Sequence, residues 1–289
     1  MKYTLYTLSS FAKIKYGGNP AGVVLKSDGL SENYMKQIAK KAGFSETAFV
    51  QKSEKANFKV KFFTPTEEVD ICGHATIAAF FLLKEKGIIK SGKYTQETKA
   101  GILSVDVGID GTVFMEQSLP RFFDCIDKKE IADCLRMEEK YMHPELPVQI
   151  VSTGSRDVMV PVKSLKSLLS IKPDFDKITS KCKEYDANGF DVFTLETKFN
   201  AAAHCRNFAP LVGIPEESAT GITAGALSCY LFEYEKVTEE QANNLVFEQG
   251  YSMSRPSEIL AKLSIEGGEI KGVRVGGTAT ISNETEISV

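Results

Sequence analysis

Two side chains in the first third of the sequence have the chemistry needed for proton transfer, a carboxylate and an imidazole. Glu46 opens an apolar run, residues 47–50, which predicts a carboxylate at the start of a buried strand. Partial removal from water raises the pKa of a carboxyl group and suits it to general acid–base catalysis near neutral pH. His74 stands where polar sequence changes to the apolar run 75–83. Either residue alone also has an ordinary structural role available to it, as a solvated turn acid or a hydrogen-bonded core histidine.

The turn around His74 also predicts an anion site. The run 75–83 has no charged face, which is typical of a buried helix, and it is far shorter than the ~20 residues of a membrane span. Gly73 and His74 would form the first turn, where free backbone N–H groups and the positive end of the helix dipole attract anions. A substrate carboxylate or phosphate could bind there. Asp70 and Glu217 each precede such a turn, and the dipole alone favours acids at both positions.

The same pattern occurs twice in the chain. Small residues 219–221 precede a second apolar run, 222–232, and charged residues end both runs. Gly73 and Gly221 are 148 residues apart (221 − 73), about half of the 289-residue chain. We interpret this as an internal duplication that produces two domains, each built around one buried helix. The two helix N-termini could then face each other across a cleft between the domains.

Short strand patterns separate these helices and indicate an α+β fold in which each sheet curls around its helix. The predicted domains cover residues 1–117 and 118–278, and the final strand, 279–289, could return to complete the first domain. Further helices are predicted after the capping residues Ser31, Asp127 and Thr238. The last of them should extend to about residue 247.

Composition argues against several classes of function. A net charge of −3, with 43% hydrophobic and 25% charged residues, is ordinary for a globular protein and gives no attraction for nucleic acid or anionic membrane. Six cysteines without a Cys-x-x-Cys pair, and only three histidines, argue against a zinc site or disulfide scaffold. Dinucleotide, Walker A, zinc-protease and serine-hydrolase motifs are absent from the sequence. Reduced thiols and the lack of a signal-peptide pattern at the start predict a cytoplasmic protein.

Cys72 and Cys229 raise the alternative of a two-thiol racemase, in which one thiolate removes a proton and the other thiol returns one. Cys229, however, falls about two turns inside the second predicted helix, whereas Cys72 precedes the first. The position that matches Cys72 ahead of the second helix is Ala219 or Thr220. The sequence therefore favours Cys72 as a small buried residue and leaves the racemase as a lesser alternative.

Together these motifs resemble the PhzF-like family, the phenazine-biosynthesis isomerase and its relatives, which belong to the diaminopimelate epimerase fold. The resemblance runs through nearly the whole chain. The matching stretches are 18–23 (GNPAGV), 44–50 (FSETAFV), 63–76 (FTPTEEVDICGHAT), 206–210 (RNFAP), 219–221 (ATG), 248–250 (EQG), 255–257 (RPS) and 275–277 (VGG). Each stretch alone is weak evidence, but their order and spacing are specific.

The resemblance implies two similar domains, each a β-barrel-like roll around a central helix, with the site in the cleft between them. It also implies no cofactor, no metal and commonly a homodimer. Glu46 matches the family's catalytic glutamate, which removes a proton from a carbon acid and can redeliver it elsewhere, and His74 matches the cleft motif. The remaining site residues implied are Glu217 as a catalytic partner and Asn19, Gly73, Thr220, Gly221 and Ile222 as substrate contacts.

The chain departs from the family's pattern at two places. The family usually has Asp-Pro-Ala-Thr-Gly-Ser ahead of the second helix, where this chain has Glu217 in place of the aspartate and Ile222 in place of the last serine. The extra methylene of Glu217 displaces its carboxylate by about 1 Å, and a misplacement of that order can cost ~100-fold in rate. Ser254 replaces the glycine before Arg255. We therefore expect a substrate other than the phenazine precursor, or a weak activity.

The sequence thus predicts a cytoplasmic biosynthetic isomerase or epimerase that moves a proton on a small carboxylate-bearing carbon acid. Glu46 would act as general base and acid, and the helix N-termini would stabilise the anion without a metal. The alternative from another class is a non-catalytic small-molecule binding or regulatory protein that keeps the same cleft. Ile222 and Glu217 are the residues that favour this alternative.

Overall fold

The computed structural model describes residues 2–288, which form two compact units. One unit comprises the described residues up to Glu116 and from Gly276 onward, and the other comprises Gln117–Val275. Among residues 2–288, no helix combines the length and the apolar character needed to cross a lipid bilayer.

The first unit has strands arranged around one central helix. Its strands are β1 (Lys2–Ser10), β2 (Asn19–Val24), β3 (Thr47–Gln51), β4 (Phe58–Phe63), β5 (Glu68–Val69), β6 (Gly92–Thr98), β7 (Gly101–Val107) and β8 (Val113–Gln117), and its helices are α1 (Glu32–Ala42) and α2 (Gly73–Glu85). Helix α1 begins at the predicted cap Ser31, whose hydroxyl accepts a hydrogen bond from the amide of Tyr34, and ends at Gly43 in the left-handed conformation. It forms the crossover between β2 and β3, which pair in parallel.

The second unit has the same kind of architecture. Its elements are β9 (Arg121–Ile126), α3 (Lys128–Cys134), β10 (Val148–Ser152), β11 (Arg156–Pro161), α4 (Leu165–Ser170), α5 (Phe175–Tyr185), β12 (Gly189–Thr194), β13 (Ala203–Ala209), β14 (Ile214–Glu217), α6 (Gly221–Glu233), α7 (Glu239–Ala242), β15 (Leu245–Gln249), β16 (Ser257–Glu266) and β17 (Glu269–Gly277). The last strand, β18 (Ala279–Ser288), returns to the first unit and pairs antiparallel with β1.

Both units repeat one order of strand pairing, which supports the internal duplication. In the first unit β2 pairs in parallel with β3, β3 pairs antiparallel with β4, and β4 pairs with both β5 and, in parallel, β6. In the second unit β11, β12, β13, β14 and β15 repeat these pairings in the same order and sense. The short strand of each series, β5 or β14, leads into a helix of 13 residues.

Helices α2 and α6 are buried on nearly all sides, as their apolar sequences predict. Nine of the 13 residues of α2 and ten of the 13 residues of α6 are buried. Helix α2 packs against β1, β2, β3 and β18, and α6 packs against β10, β11 and β16. Burial of a large apolar side chain such as Phe80 stabilises the fold by roughly 1.5–3 kcal/mol. Each helix N-terminus is therefore held firmly within its own unit.

One predicted helix is much shorter than expected. The capping box of Thr238 is present, because its hydroxyl accepts from the amide of Gln241 and the Gln241 side chain accepts from the amide of Thr238. Helix α7 nevertheless ends at Ala242, and the predicted extension to residue 247 is wrong. Two asparagines follow, which disfavour a helix interior. Leu245 and Phe247 then gain burial by pairing in β15 with β16, and this tertiary contact outweighs the local helix signal.

Candidate active site

Glu46 and His74 lie side by side in the first unit. The Nε2 atom of His74 is 3.3 Å from Oε2 of Glu46, and the two side chains are 7% and 16% exposed. The two atoms are within ion-pair distance, yet Oε2 is enclosed and accepts no well-aligned hydrogen bond from residues 2–288. The Glu46 side chain as a whole is still partly exposed, and a carboxylate beside an imidazole is suitably placed to remove a proton.

Main-chain contacts hold both residues in place. Glu46 immediately precedes β3, and its carbonyl accepts a hydrogen bond from the amide of Gly22 in β2 at 3.2 Å. His74 is the second residue of α2, and its carbonyl accepts from the hydroxyl of Ser10 at 2.6 Å. Ser10 ends β1 and is completely buried. The sequence analysis missed this support, although a serine that ends a largely buried strand is a signal for a buried polar contact.

Asn19, a predicted substrate contact, lies near this support. It begins β2 directly opposite Ser10 of β1. Only 5% of its surface is exposed. The structure therefore brings Asn19 to the strand that fixes His74, and its contact with substrate stays a prediction.

Cys72 is the N-cap residue of α2 and lies against His74. Its Sγ is 3.5 Å from Nδ1 and 3.9 Å from Nε2 of the imidazole. Its carbonyl accepts hydrogen bonds from the amide and the hydroxyl of Thr76, at 3.0 and 2.9 Å. Glu46, Cys72 and His74 each have one possible ligand atom within 4.8 Å of those of the other two residues. A carboxylate, a thiol and an imidazole at this spacing suit proton transfer and also suit a metal ion with affinity for sulfur.

The first turn of α2 offers backbone donors beside this cluster. The first intrahelical bond runs from the amide of Thr76 to the carbonyl of Cys72, so the amides of Gly73, His74 and Ala75 precede it. A methyl group added at Gly73 would contact no heavy atom of the described residues within 4 Å, apart from its chain neighbours. Open space therefore adjoins the positive end of the helix. This arrangement fits an anionic group bound next to the proton-transfer residues.

In the second unit, Glu217 belongs to a hydrogen-bond network at the start of α6. It ends β14, and its Oε2 accepts from the hydroxyl of Thr220 at 2.8 Å. The side-chain amide of Gln249 donates to the carbonyl of Glu217 at 2.8 Å and to the hydroxyl of Thr220 at 3.0 Å. The oxygen of Gln249 accepts from the amide of Thr220 at 3.1 Å. Glu217 and Thr220 are thus fixed by Gln249, a residue whose role the sequence analysis missed.

Gly221 and Ile222 are the first two residues of α6. Their carbonyls accept from the side-chain amide of Gln117 at 3.3 Å and from the hydroxyl of Thr153 at 3.4 Å. The side chain of Ile222 is half-buried and has no polar atom. A ligand at this turn could therefore receive hydrogen bonds from the backbone but none from Ile222.

The duplication makes the two turns directly comparable. Thr220 and Ile222 follow Cys72 and His74 by the same 148 residues that separate the two initial glycines (220 − 72; 222 − 74). The first turn therefore carries a thiol and an imidazole, where the second carries a hydroxyl and an alkyl group. At these two matched positions, ionisable side chains occur in the first unit and not in the second.

Two buried carboxyl groups near Glu217 were also missed from the sequence. Asp157 in β11 and Asp191 in β12 are 4% and 2% exposed. Burial raises the pKa of Asp157 to about 7, with a hydrogen bond from Ser155 opposing this effect and the charge of Glu217 adding to it. Burial also raises the pKa of Asp191 well above its ordinary value, with Asp157 contributing. Asp157 can therefore exchange a proton near neutral pH in electrostatic contact with Glu217.

The other histidines and Cys229 have structural surroundings. His204 is fully buried with its Nδ1 2.6 Å from Oε2 of Glu248, and burial lowers its pKa. The Nδ1 of His143 accepts from two backbone amides of the loop that follows it. Cys229 is fully buried inside α6, and burial raises its pKa to about 12. An enclosed thiol that stays protonated cannot alternate with Cys72, which weighs against a two-cysteine racemase.

Comparisons with known proteins agree with this architecture. The family model described as phenazine biosynthesis-like protein (PhzC-PhzF) matches residues 8–285. An uncharacterised isomerase from Clostridium acetobutylicum is 36% identical over 99% of this chain and 98% of its own length. The crystal structure of a PhzF-family phenazine biosynthesis protein from Bacillus anthracis matches with a TM-score of 0.91 and 32% identity, covering 100% of both chains.

A more distant structure shares the fold alone. A hydroxyproline epimerase from Agrobacterium vitis matches with a TM-score of 0.64 at 11% identity, over 100% of this chain and 93% of that one. The predicted α+β class, with a diaminopimelate epimerase-like roll of strands around a buried helix in each half, is confirmed. With the family model covering nearly its whole length, the chain belongs to the phenazine biosynthesis-like (PhzF) family.

Proposed function

We propose that this protein is a cofactor-independent isomerase or epimerase that moves a proton on a small carboxylate-bearing carbon acid. Family membership and a relative named as an isomerase support the reaction class. The observation that carries the assignment of residues is the contact between Glu46 and His74, whose Oε2 and Nε2 atoms are 3.3 Å apart, beside the amides that precede the first intrahelical bond of α2.

Each group in this cluster has a step to perform. Glu46 removes a proton from the carbon next to the substrate carboxylate and returns a proton to the product, which makes it both base and acid. The amides of Gly73 and its neighbours bind the carboxylate, where negative charge increases as the proton leaves. His74 contacts the reacting carboxylate of Glu46 and assists the transfer. The low exposure of Glu46 and His74 limits competition from water.

We propose Glu217 as a catalytic partner, with Thr220, Gly221 and Ile222 as substrate contacts. The hydrogen bonds from Thr220 and Gln249 support a fixed position for Glu217. Ile222 favours an apolar group on the substrate at this point, because it has no polar atom to offer. This preference distinguishes the expected substrate from one that is bound through a serine hydroxyl.

Proton NMR in D₂O tests the proposal directly. The wild type and Glu46→Gln are incubated with a mixture of amino acids, dienoic acids and hydroxy acids, and deuterium incorporation is followed in each compound. We expect one compound to exchange with the wild type, and the rate to fall at least ~100-fold in Glu46→Gln, because general base catalysis contributes roughly 10²–10⁴-fold. Glu54→Gln is the matched control, since Glu54 is an exposed glutamate just beyond β3.

The outcomes of these experiments separate the role of Glu46 from a general effect on the protein and from the two-thiol alternative. Exchange at the wild-type rate in Glu46→Gln would refute Glu46 as the base. Loss of exchange in both variants would indicate a general effect on the protein, which circular dichroism would detect. Thiol alkylation that leaves turnover intact would exclude the two-base racemase that uses Cys72.

The second candidate is a protein that binds a small carboxylate without turning it over. Ile222 favours it, because the second turn lacks the ionisable group found at His74. Calorimetric binding of a compound that shows no exchange in D₂O would support this second candidate.

We further propose that the protein is a cytoplasmic homodimer, as the family resemblance implies. Light scattering across a range of protein concentrations tests the dimer. A molar mass that remains at the 31.8 kDa of one chain would refute it.

A further inference from the structure

The cluster of Glu46, Cys72 and His74 has the donor set of a metal site. It combines a carboxylate oxygen, a thiol sulfur and an imidazole nitrogen, which are the three kinds of side-chain ligand that zinc takes in proteins. The residues come from two places in the sequence, the residue before β3 and the first turn of α2. Their proximity is therefore a property of the fold, which sequence spacing did not reveal.

The spacing of the donor atoms agrees with tetrahedral coordination. Zinc bonds of about 2.3 Å to sulfur and about 2.0–2.1 Å to nitrogen or oxygen, at a tetrahedral angle, require about 3.5 Å between sulfur and nitrogen and about 3.3 Å between nitrogen and oxygen. In this protein Nε2 of His74 is 3.9 Å from Sγ of Cys72 and 3.3 Å from Oε2 of Glu46. The sulfur of Cys72 and the carboxylate of Glu46 lie within 4.8 Å of each other, so these two side chains would move closer together for all three atoms to reach one ion.

The surroundings favour these three residues as ligands. Oε2 of Glu46 accepts no well-aligned hydrogen bond from the described part of the chain, so a metal would displace no such bond there. The backbones of two ligand residues are anchored, since Ser10 donates to the carbonyl of His74 and Thr76 donates to the carbonyl of Cys72. Anchored ligands lose less freedom when an ion binds, which strengthens the site.

We propose that Glu46, Cys72 and His74 bind a thiophilic divalent cation, zinc above all, and that the bound ion inhibits the protein. Binding releases the thiol proton of Cys72 to solvent and forms a sulfur–metal bond, so that affinity falls as the pH is lowered. The inhibitory part rests on the proposed function, because the ion would bind the carboxylate with which Glu46 removes a proton. The cation acts here as a regulator that competes with proton transfer, in contrast to a resident cofactor.

The duplication limits this site to one copy per chain. At the second turn Thr220 and Ile222 replace Cys72 and His74. A hydroxyl and an alkyl group cannot substitute for thiolate and imidazole as zinc ligands. We therefore expect a stoichiometry of one ion per chain.

Cobalt substitution tests the site without any assay of activity. The metal-free wild type is titrated with Co²⁺, and the visible and near-ultraviolet spectra are recorded. We expect the intense visible bands of tetrahedral cobalt and a thiolate-to-cobalt charge-transfer band, both saturating at one equivalent and lost when Zn²⁺ is added. Cys72→Ser should lose the charge-transfer band and bind Zn²⁺ at least ~100-fold more weakly, because even outer-shell partners contribute 10–100-fold to affinity. Cys125→Ser, which removes an exposed thiol, is the matched control and should behave as the wild type.

The possible outcomes decide both parts of the proposal. A charge-transfer band that persists in Cys72→Ser, or zinc affinity unchanged in both Cys72→Ser and Glu46→Gln, would overturn the site. Thermal unfolding without metal verifies that the variants are folded, and His74→Gln provides a third ligand deletion if one of them is not. If zinc binds through these residues and leaves solvent exchange unaffected, the metal site is supported. The same result would refute both the inhibition and the role of Glu46 as base.

Discussion

Replacement of Asp157 by asparagine should make the protein less sensitive to rising pH. Asp157 is 4% exposed, and burial raises its pKa to about 7 from an ordinary value of 3.8, with a hydrogen bond from Ser155 opposing this and Glu217 adding to it. Its folded-state pKa is therefore higher than its unfolded one. Between the two values the folded protein keeps a proton that the unfolded chain has released. Stability from this group is consequently full below pH 4 and decreases as the pH rises towards 7.

The magnitude follows from the separation of the two pKa values. The interval between 3.8 and about 7 is about 3 pH units, and each unit corresponds to about 1.4 kcal/mol. Asp157 should thus lower the free energy of unfolding by about 4 kcal/mol between pH 4 and pH 7, with no further loss above that range. Asparagine has nearly the same shape and no charge, so the variant lacks this loss. Relative to the wild type, Asp157→Asn should gain stability with increasing pH.

Urea unfolding at half-unit intervals from pH 4 to pH 8 measures the difference. Circular dichroism is the suitable signal, because the chain has no tryptophan. Subtraction of the two curves removes the groups that titrate alike in both proteins. Asp191 is the main exception, because Asp157 contributes to its raised pKa, and an Asp191→Asn background controls for this coupling. A difference curve that is flat, or that falls with pH, would show that Asp157 is ionised in the folded protein throughout and would refute the reasoning.

Two further predictions concern the stability of the second unit. Arg206 makes two hydrogen bonds to the carboxylate of Glu216, both at 2.9 Å, and it also donates to the carbonyls of Leu168 and Ile171. Arg206→Met should lower the free energy of unfolding by about 3–5 kcal/mol, because a mostly buried carboxylate loses its charged partner and keeps only the hydroxyl of Ser252. Arg206→Met combined with Glu216→Leu should recover part of this loss in the same urea assay, since the carbonyls of Leu168 and Ile171 still lack the Arg206 donor. No recovery would contradict the role assigned to the ion pair. A methyl group at Gly225 would overlap the side chain of Gln117, which is held in place by hydrogen bonds to Thr153 and to a backbone carbonyl. Gly225→Ala should therefore lower the free energy of unfolding by about 1–3 kcal/mol. An increase in stability, as expected for alanine in an unobstructed helix, would refute this.

The sequence was most informative where one physical signal dominated. The runs 75–83 and 222–232 have no polar face, so the burial of α2 and α6 could be predicted without knowledge of their neighbours. The caps at Ser31 and Asp127 were also correct, because capping depends on residues within one helical turn. The apolar character of a whole helix and the cap at its end are both set by a short stretch of sequence. Predictions made from them therefore do not depend on the tertiary structure.

Long-range pairing accounts for most of what was missed. Strands β6 and β9 have polar or charged residues at several positions and give only weak alternation, and they form because neighbouring strands supply hydrogen bonds. The helix predicted to extend to residue 247 ends early for the same reason. Local patterns contain no information about which partner strand will be available.

In the candidate site, too, the residues with a local signal were predicted and those placed by long-range pairing were missed. Glu46 and His74 were identified from their positions ahead of apolar runs and from the family resemblance, and the fold places them 3.3 Å apart. The support from Ser10, 64 residues from His74 in the sequence, could not be derived, because only the pairing of β1 with its neighbours places it there. The raised pKa of Asp157 likewise depends on burial between strands that are remote in sequence. The sequence shows which side chains can do chemistry. Their burial and hydrogen-bond partners, which determine their pKa values and positions, are known only from the fold.

The difference between the two turns bears on the type of product. An epimerase returns the proton to the face opposite the one it left, and therefore needs a second acid, for which the candidate is Glu217. A double-bond isomerase can return the proton to another carbon with a single group. The first turn has an imidazole where the second has Ile222, and the carboxylate of Glu217 already accepts from Thr220. The proposed function therefore predicts the one-base path.

On this path Glu217→Gln should slow turnover by roughly 10–100-fold through poorer positioning, while substrate exchange and product formation decline together. Glu46→Gln should slow both by at least ~100-fold, and NMR in D₂O records the two quantities in one spectrum. Exchange that continues in Glu217→Gln without any product would contradict the one-base path, because it would show that Glu217 supplies the second proton.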